Sequence, residues 1–166
     1  PYPVDLRAKK MTPLHKTLLR QITRLGPISI AEYMSQCLYH PDHGYYTHAN
    51  PLGAGGDFVT APEISQMFGE MIGLCLAQNW LDQGAPTPFC LAELGPGRGT
   101  LMADILRVFR TVPGLIDACS VHLVEASAVL KDRQATTLAG HDIIWHDTFQ
   151  DVPNELPLYL VANEFF

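Results

Sequence analysis

The sequence predicts an α/β fold, a parallel sheet with crossover helices preceded by a helical extension. Three observations predict it. From residue 85 onward, short strand-like runs alternate with helix-periodic ones, a spacing that demands crossover connections and therefore parallel strands. The first strand-like run ends in a glycine-rich turn, LAELGPGRGTL, that leads directly into a helical pattern. Before residue 85 the chain reads as helices and loop. The expected division is a helical extension with a Gly/His/Tyr-rich site loop over residues 1–84, and the first four strands of a sheet domain over 85–166.

Each element follows from local chemistry. Thr12-Pro13 is an N-cap followed by a first-turn proline; Leu14, Leu18, Ile22 and Leu25 repeat at helical spacing, and Gly26-Pro27 stops the helix. Ser29 and Glu32 form a capping box before a short helix through about Leu38. The run YHPDHGYYTHANPLGAGGDFVTAPE is too long and glycine-dense for a plain connector, and such loops serve sites. Thr60 and Glu63 read as a second capping box, opening a long, largely buried helix that ends at Gly84. After the break APTP come strand FCLAEL, helix TLMADILRVFR, strand SVHLVEA, a helix from Ser127 to about Leu138, strand HDIIWHD and strand PLYLVANEF.

The totals exclude several function classes. Seventeen acids against eleven bases give a formal net charge of −6, which opposes nucleic-acid binding, since phosphate contacts need a basic face. No run of 18 apolar residues occurs in the 166, so no membrane span is expected. The start, PYPVDLRAKK, has neither an initiator Met nor an apolar signal core, and reads as a trimmed N-terminus. Cys37, Cys75, Cys90 and Cys119 are dispersed and form no C-x-x-C pair, which reads as four buried, reduced thiols. His40, His43 and His48, with Asp42 nearby, lack the patterned spacing of a zinc site and read as turn residues, so no metal is expected.

The glycine loop carries the chemistry. No Lys-Ser or Lys-Thr follows it, which removes a Walker phosphate loop. A dinucleotide fingerprint needs glycines at its first, third and sixth positions, whereas Gly95, Gly97 and Gly99 occupy the first, third and fifth. Glu93 also places an acid where a pyrophosphate would be repelled. A cationic ligand suits that acid, and S-adenosylmethionine has a sulfonium, an ammonium and no phosphate. The form E-x-G-x-G-x-G resembles the turn of class I methyltransferases. Glu93, Gly95, Pro96, Gly97 and Gly99 are the cofactor-binding candidates, against a tight turn that binds nothing.

Two further acids sit at strand ends. Glu125 closes the next strand, where an acid accepts hydrogen bonds from ribose hydroxyls, or it is a plain surface carboxylate. Asp147 follows the third strand and either accepts the adenine amino hydrogen or caps a helix.

With these motifs placed, GPISIAEYMSQCLYHPDHGYYT, GGDFVTAPEISQMFGEMIG, AELGPGRGTL and VANEFF together resemble the MidA-like family from end to end. That family is related to the mitochondrial methyltransferase of respiratory complex I assembly. The resemblance implies a Rossmann-like class I methyltransferase sheet, S-adenosyl-L-methionine as cofactor, and methylation of arginine in a protein substrate for the mitochondrial branch. It implies a cytoplasmic place for a bacterial protein and the mitochondrial matrix for a eukaryotic one. Class I sheets have seven strands, so a chain reaching only the fourth reads as truncated, with an open strand edge through which it self-associates.

In class I folds the end of the fourth strand faces the methyl group, which makes Asn163 and Glu164 the catalytic candidates. A carboxylate there can hold a guanidinium by paired hydrogen bonds; alternatively Glu164 caps a loop or pairs with a base elsewhere. Phe58 and Thr60 of the GGDFVTAPE loop join the cofactor candidates, with Phe58 packing on adenine or covering the site. Two other functions remain open: a binding or assembly protein that keeps the fold without turnover, and a small-molecule methyltransferase.

Overall fold

The computed structural model describes residues 11–48 and 60–165. The chain divides into two compact units, Pro1–Ala49 and Asn50–Phe166. The first holds α1 (Pro13–Leu25), α2 (Ile30–Tyr39) and α3 (Tyr45–His48). Thr12 caps α1 by accepting from the backbone N–H of His15, and Gly26 ends it at φ 92°. Ser29 and Glu32 complete the expected capping box at the start of α2. Tyr39 and Tyr46 stack with centroids 5.7 Å apart, joining α2 to α3.

The second unit begins with α4 (Ala61–Ile64) and α5 (Gln66–Asp82), continues through β1 (Phe89–Leu94), α6 (Thr100–Phe109), α7 (Leu115–Ala118) and β2 (Cys119–Val124), and ends with α8 (Ala128–Thr137), β3 (Ile143–His146), a 3-10 turn at Phe149–Asp151 and β4 (Leu158–Ala162). The four strands form one parallel sheet in the order β3-β2-β1-β4. Chain direction across the sheet reverses between β1 and β4, the position where open α/β sheets place their ligands.

Alternation along β1 sorts its side chains. Phe89 and Leu91 join the main core with Leu101, Met102, Ile105, Leu106 and Phe109 of α6. Cys90, Ala92 and Leu94 face the other side, where Val152 of the β3–β4 crossover packs on them.

Three readings of the helical segment need correction. Thr60 makes no side-chain cap bond, so there is no capping box with Glu63. Ser65 adopts an extended backbone (φ −149°, ψ 121°) and splits the expected single helix into α4 and α5. Instead of being largely buried, α5 buries only Gly69, Gly73, Ala77 and Trp80, while Met67, Met71, Leu74 and Leu81 are exposed. Its small residues let it approach α6 closely: a Cβ on Gly69 would lie 2.5 Å from Asp104 Cβ, and one on Gly73 3.0 Å from Val108 Cβ. The compact units divide between Ala49 and Asn50, and α4 and α5 fall in the second, with the sheet. All four cysteines are free, but only Cys90 is buried and Cys75 is exposed.

Candidate active site at the carboxyl edge of the sheet

Strand register builds the site. Leu94 stands level with Val124 on one side and Ala162 on the other, and Val124 stands level with His146. The next residue of each strand, Gly95, Glu125, Asp147 and Asn163, therefore leaves the sheet at one common edge. Backbone bonds continue the level past the strands: Gly95 N donates to Val124 O at 3.1 Å, and Glu125 N to His146 O at 2.9 Å.

The glycine turn is tight. Gly95, Gly97 and Gly99 have φ of 61°, 56° and 83°, the left-handed region where a side chain is strained. Gly99 N donates to Pro96 O at 2.8 Å, folding the loop over the start of α6. A Cβ on Gly95 would come within 2.6 Å of the Phe165 ring, so the residues after β4 lie directly against the turn.

Glu93 lies at the base of this turn, in the row of Phe89 and Leu91, and is 2% exposed. Its Oε2 has no hydrogen-bond partner among the described residues. Burial pushes its carboxyl up to about 8, so it is protonated at neutral pH until a cation arrives. The expected standing negative charge is thereby corrected, and what disfavours a pyrophosphate here is the glycine spacing. A buried carboxyl with an open oxygen is costly unless something pairs with it. It fits the ammonium of S-adenosyl-L-methionine.

Glu125 is no surface carboxylate, being 7% exposed. Its Oε1 accepts from Ser127 N at 2.8 Å and its Oε2 from Gln134 Nε2 at 3.2 Å. Burial raises its pKa, and the bonds from Ser127 and Gln134 together with the Lys131 charge oppose that rise. A carboxylate offers about four lone-pair sites, so acceptor capacity remains beside these bonds.

Gln134 escaped the sequence reading. Leu130 and Gln134 on the buried face of α8 and Leu138 at its C-cap recur at a spacing of four, and a polar residue in an apolar stripe was the available signal. The Gln134 side chain also donates to Gly97 O at 2.8 Å, and its Oε1 accepts from Trp145 Nε1 at 2.9 Å.

Asp147 is exposed and paired with Lys131 at 2.6 Å, a contact that holds its carboxyl below the usual range. Behind it, His146 Nε2 lies 2.8 Å from His122 Nδ1, tying β3 to β2. Glu63 binds the glycine loop instead of its own helix: Oε1 accepts from Thr100 Oγ1 at 2.6 Å and Oε2 from Arg98 at 3.2 Å. Thr60 precedes α4; Phe58 lies outside the described residues. Asn163 and Glu164 follow β4, and Glu164 has a φ of 50°, unusual for a residue with a side chain. In the first unit, the His40 and His43 rings stack, and His40 Nδ1 accepts from Asp42 N at 3.1 Å, as turn residues do.

A family model described as "Putative S-adenosyl-L-methionine-dependent methyltransferase" matches residues 71–166. The chain belongs to this family. Within this methyltransferase family, it is 42% identical to mouse "Protein arginine methyltransferase NDUFAF7, mitochondrial" over 96% of its length, and 42% identical to the human protein of that name over 94%. The chain spans 42% and 41% of the lengths of those two relatives. A crystal structure from Burkholderia thailandensis bound to S-adenosyl-homocysteine matches with a TM-score of 0.73 and 29% identity, covering 90% of this chain and 40% of that one. A native crystal structure from the same organism matches at 0.65 and 27%. The Rossmann-like sheet expected of the family is thus present, and S-adenosyl-L-methionine is the family's cofactor.

Proposed function

We propose that the protein is an S-adenosyl-L-methionine-dependent methyltransferase acting on arginine in a protein. The single observation that carries the cofactor reading is Glu93, a buried carboxyl with one oxygen left open beneath a left-handed glycine turn. In this reading Glu93 takes the ammonium, the Gly95–Gly99 turn with Pro96 packs against the methionine part, and Glu125 takes the ribose hydroxyls. Asp147 is the adenine acceptor, reached by exchanging Lys131 for the amino hydrogen; Thr60 and Phe58 are kept as further cofactor candidates.

When bound, the cofactor supplies a methyl group on a sulfonium. The chain's own share is positioning. Glu164, with Asn163 beside it, leaves β4 next to the switch point and holds a guanidinium by charged, paired hydrogen bonds. The word arginine in the relatives' names supports this acceptor. Those names also read mitochondrial, which supports the matrix for a eukaryotic source; complex I assembly as the context rests on the family resemblance alone. No helix among the described residues is long and apolar enough to cross a membrane.

Incubation of the full protein chain with methyl-labelled cofactor and a cell lysate tests the reading. Labelled protein bands that yield methylarginine on hydrolysis are expected, and Glu164→Gln is expected to bind cofactor normally yet transfer far more slowly. Label in a small molecule, or cofactor binding without transfer, would favour one of the two other readings.

A further inference from the structure

We infer that Gln134 is the positioning residue that aligns the glycine turn with the ribose-binding carboxylate, making them one cofactor cradle. The inference rests on the cofactor reading of Glu93, Glu125 and the glycine turn. Gln134 is fully buried, with 0% exposure. Its amide is bonded on every side it offers to the site. The NH2 group donates both to Gly97 O at 2.8 Å and to Glu125 Oε2 at 3.2 Å, and the oxygen accepts from Trp145 Nε1 at 2.9 Å.

The Trp145 bond fixes which way the amide faces. An indole N–H can only donate, so it must meet the oxygen, and the NH2 must then point at Gly97 and Glu125. A reversed amide would put N–H against N–H and oxygen against carboxylate. The side chain therefore spans three strand ends, β1 through the turn, β2 through Glu125 and β3 through Trp145, from a single position on α8.

That geometry has a consequence for binding. The Gly97 carbonyl is held on the protein side of the turn, which settles the orientation of that peptide group. The bond to Oε2 and the Ser127 bond to Oε1 together fix the plane of the Glu125 carboxylate. A carboxylate free to rotate would lose orientation toward two ribose hydroxyls; one held at both oxygens is already arranged. Packing continues the link, since a Cβ on Gly99 would contact Leu138 and the Gln134 backbone at 3.4 and 3.5 Å.

Calorimetric titration of the full protein chain with S-adenosylhomocysteine, in wild type, Glu125→Ala, Gln134→Met and the double variant, tests this. Gln134→Met keeps the side-chain length and removes both donors and the acceptor. Each single variant is expected to bind about 10- to 100-fold more weakly. The double variant is expected to lose less than the product of the two single losses, because part of the Gln134 effect passes through the Glu125 carboxylate and only the Gly97 part survives its removal. Trp145→Phe, which deletes only the N–H that orients the amide, gives a severalfold loss and serves where Gln134→Met does not fold. Wild-type affinity in whichever of these variants folds overturns the inference, as do losses that multiply in the double variant. Wild-type affinity in Glu125→Ala instead removes the ribose role of Glu125 and leaves the glycine turn and Glu93 untouched, and the inference falls with that role.

Discussion

At the scale of single residues, Glu93 sets the pH behaviour. Its carboxyl titrates at about 8 when folded, against an ordinary value of 4.5. Between those values the folded protein holds a proton that the unfolded chain has released. The Glu93 contribution to stability without cofactor therefore falls as pH rises from about 4.5 to 8, by on the order of a few kcal/mol, and Glu93→Gln should remove that part of the slope in thermal melts. A cation needs the ionised form, so cofactor affinity should rise about tenfold per pH unit between roughly pH 6 and 8. Calorimetry at stepped pH checks this; an affinity independent of pH would detach Glu93 from the ammonium. For Glu125→Ala we expect cofactor binding weaker by about 1.5–3 kcal/mol. Folding should suffer too, by about 1–3 kcal/mol, because Ser127 N and Gln134 Nε2 lose their buried acceptor. An unchanged melting temperature would contradict that second cost. The sequence pointed to Glu93 and Glu125 because their place at strand ends carries meaning by itself. Gln134 has no such marker: its role depends on α8 bringing it beneath Gly97, a tertiary fact. Likewise Glu63 was legible as an acid near a helix start, but the distant partners that claim it, Arg98 and Thr100, were not.

At the scale of elements, the strands and the helices between them were legible because each carries its own period. The split at Ser65 was not, because a local extended backbone leaves the apolar pattern on both sides intact. The four-residue α7 was absorbed into a connection for want of a full period. The packing of α5 on α6 depends on glycine at the contact, which a count of large apolar residues does not reveal. Gly69→Ala should destabilise the protein by about 1–3 kcal/mol through overpacking. The Cβ would press on Asp104, itself bonded to Arg107 at 2.7 Å. Thermal denaturation measures it, and a melting temperature equal to wild type would mean that α5 moves away at no cost.

At the scale of the whole molecule, the order β3-β2-β1-β4 makes one argument of the separate motifs, since it levels four strand ends and puts β1 and β4 at the switch point. The parallel sheet was legible from the alternation of elements; the order was not, and only the class I resemblance put the fourth strand beside the first. The same order leaves β4 at the sheet margin, with Leu158 and Leu160 exposed and only β1 as partner among the described residues. An uncovered edge recruits strands. We therefore expect the 166-residue chain expressed alone to self-associate, as light scattering would show; a stable monomer at high concentration would mean that the edge is covered. The central claim, that the carboxyl edge around the glycine turn holds S-adenosyl-L-methionine, is tested most directly by titrating that cofactor into the wild-type full chain and its Gly97→Val variant. At a φ of 56°, valine strains the backbone and fills the space in which the turn meets the ligand. The account predicts binding to the wild type and none detectable to a folded Gly97→Val; undiminished affinity in the variant would place the cofactor elsewhere.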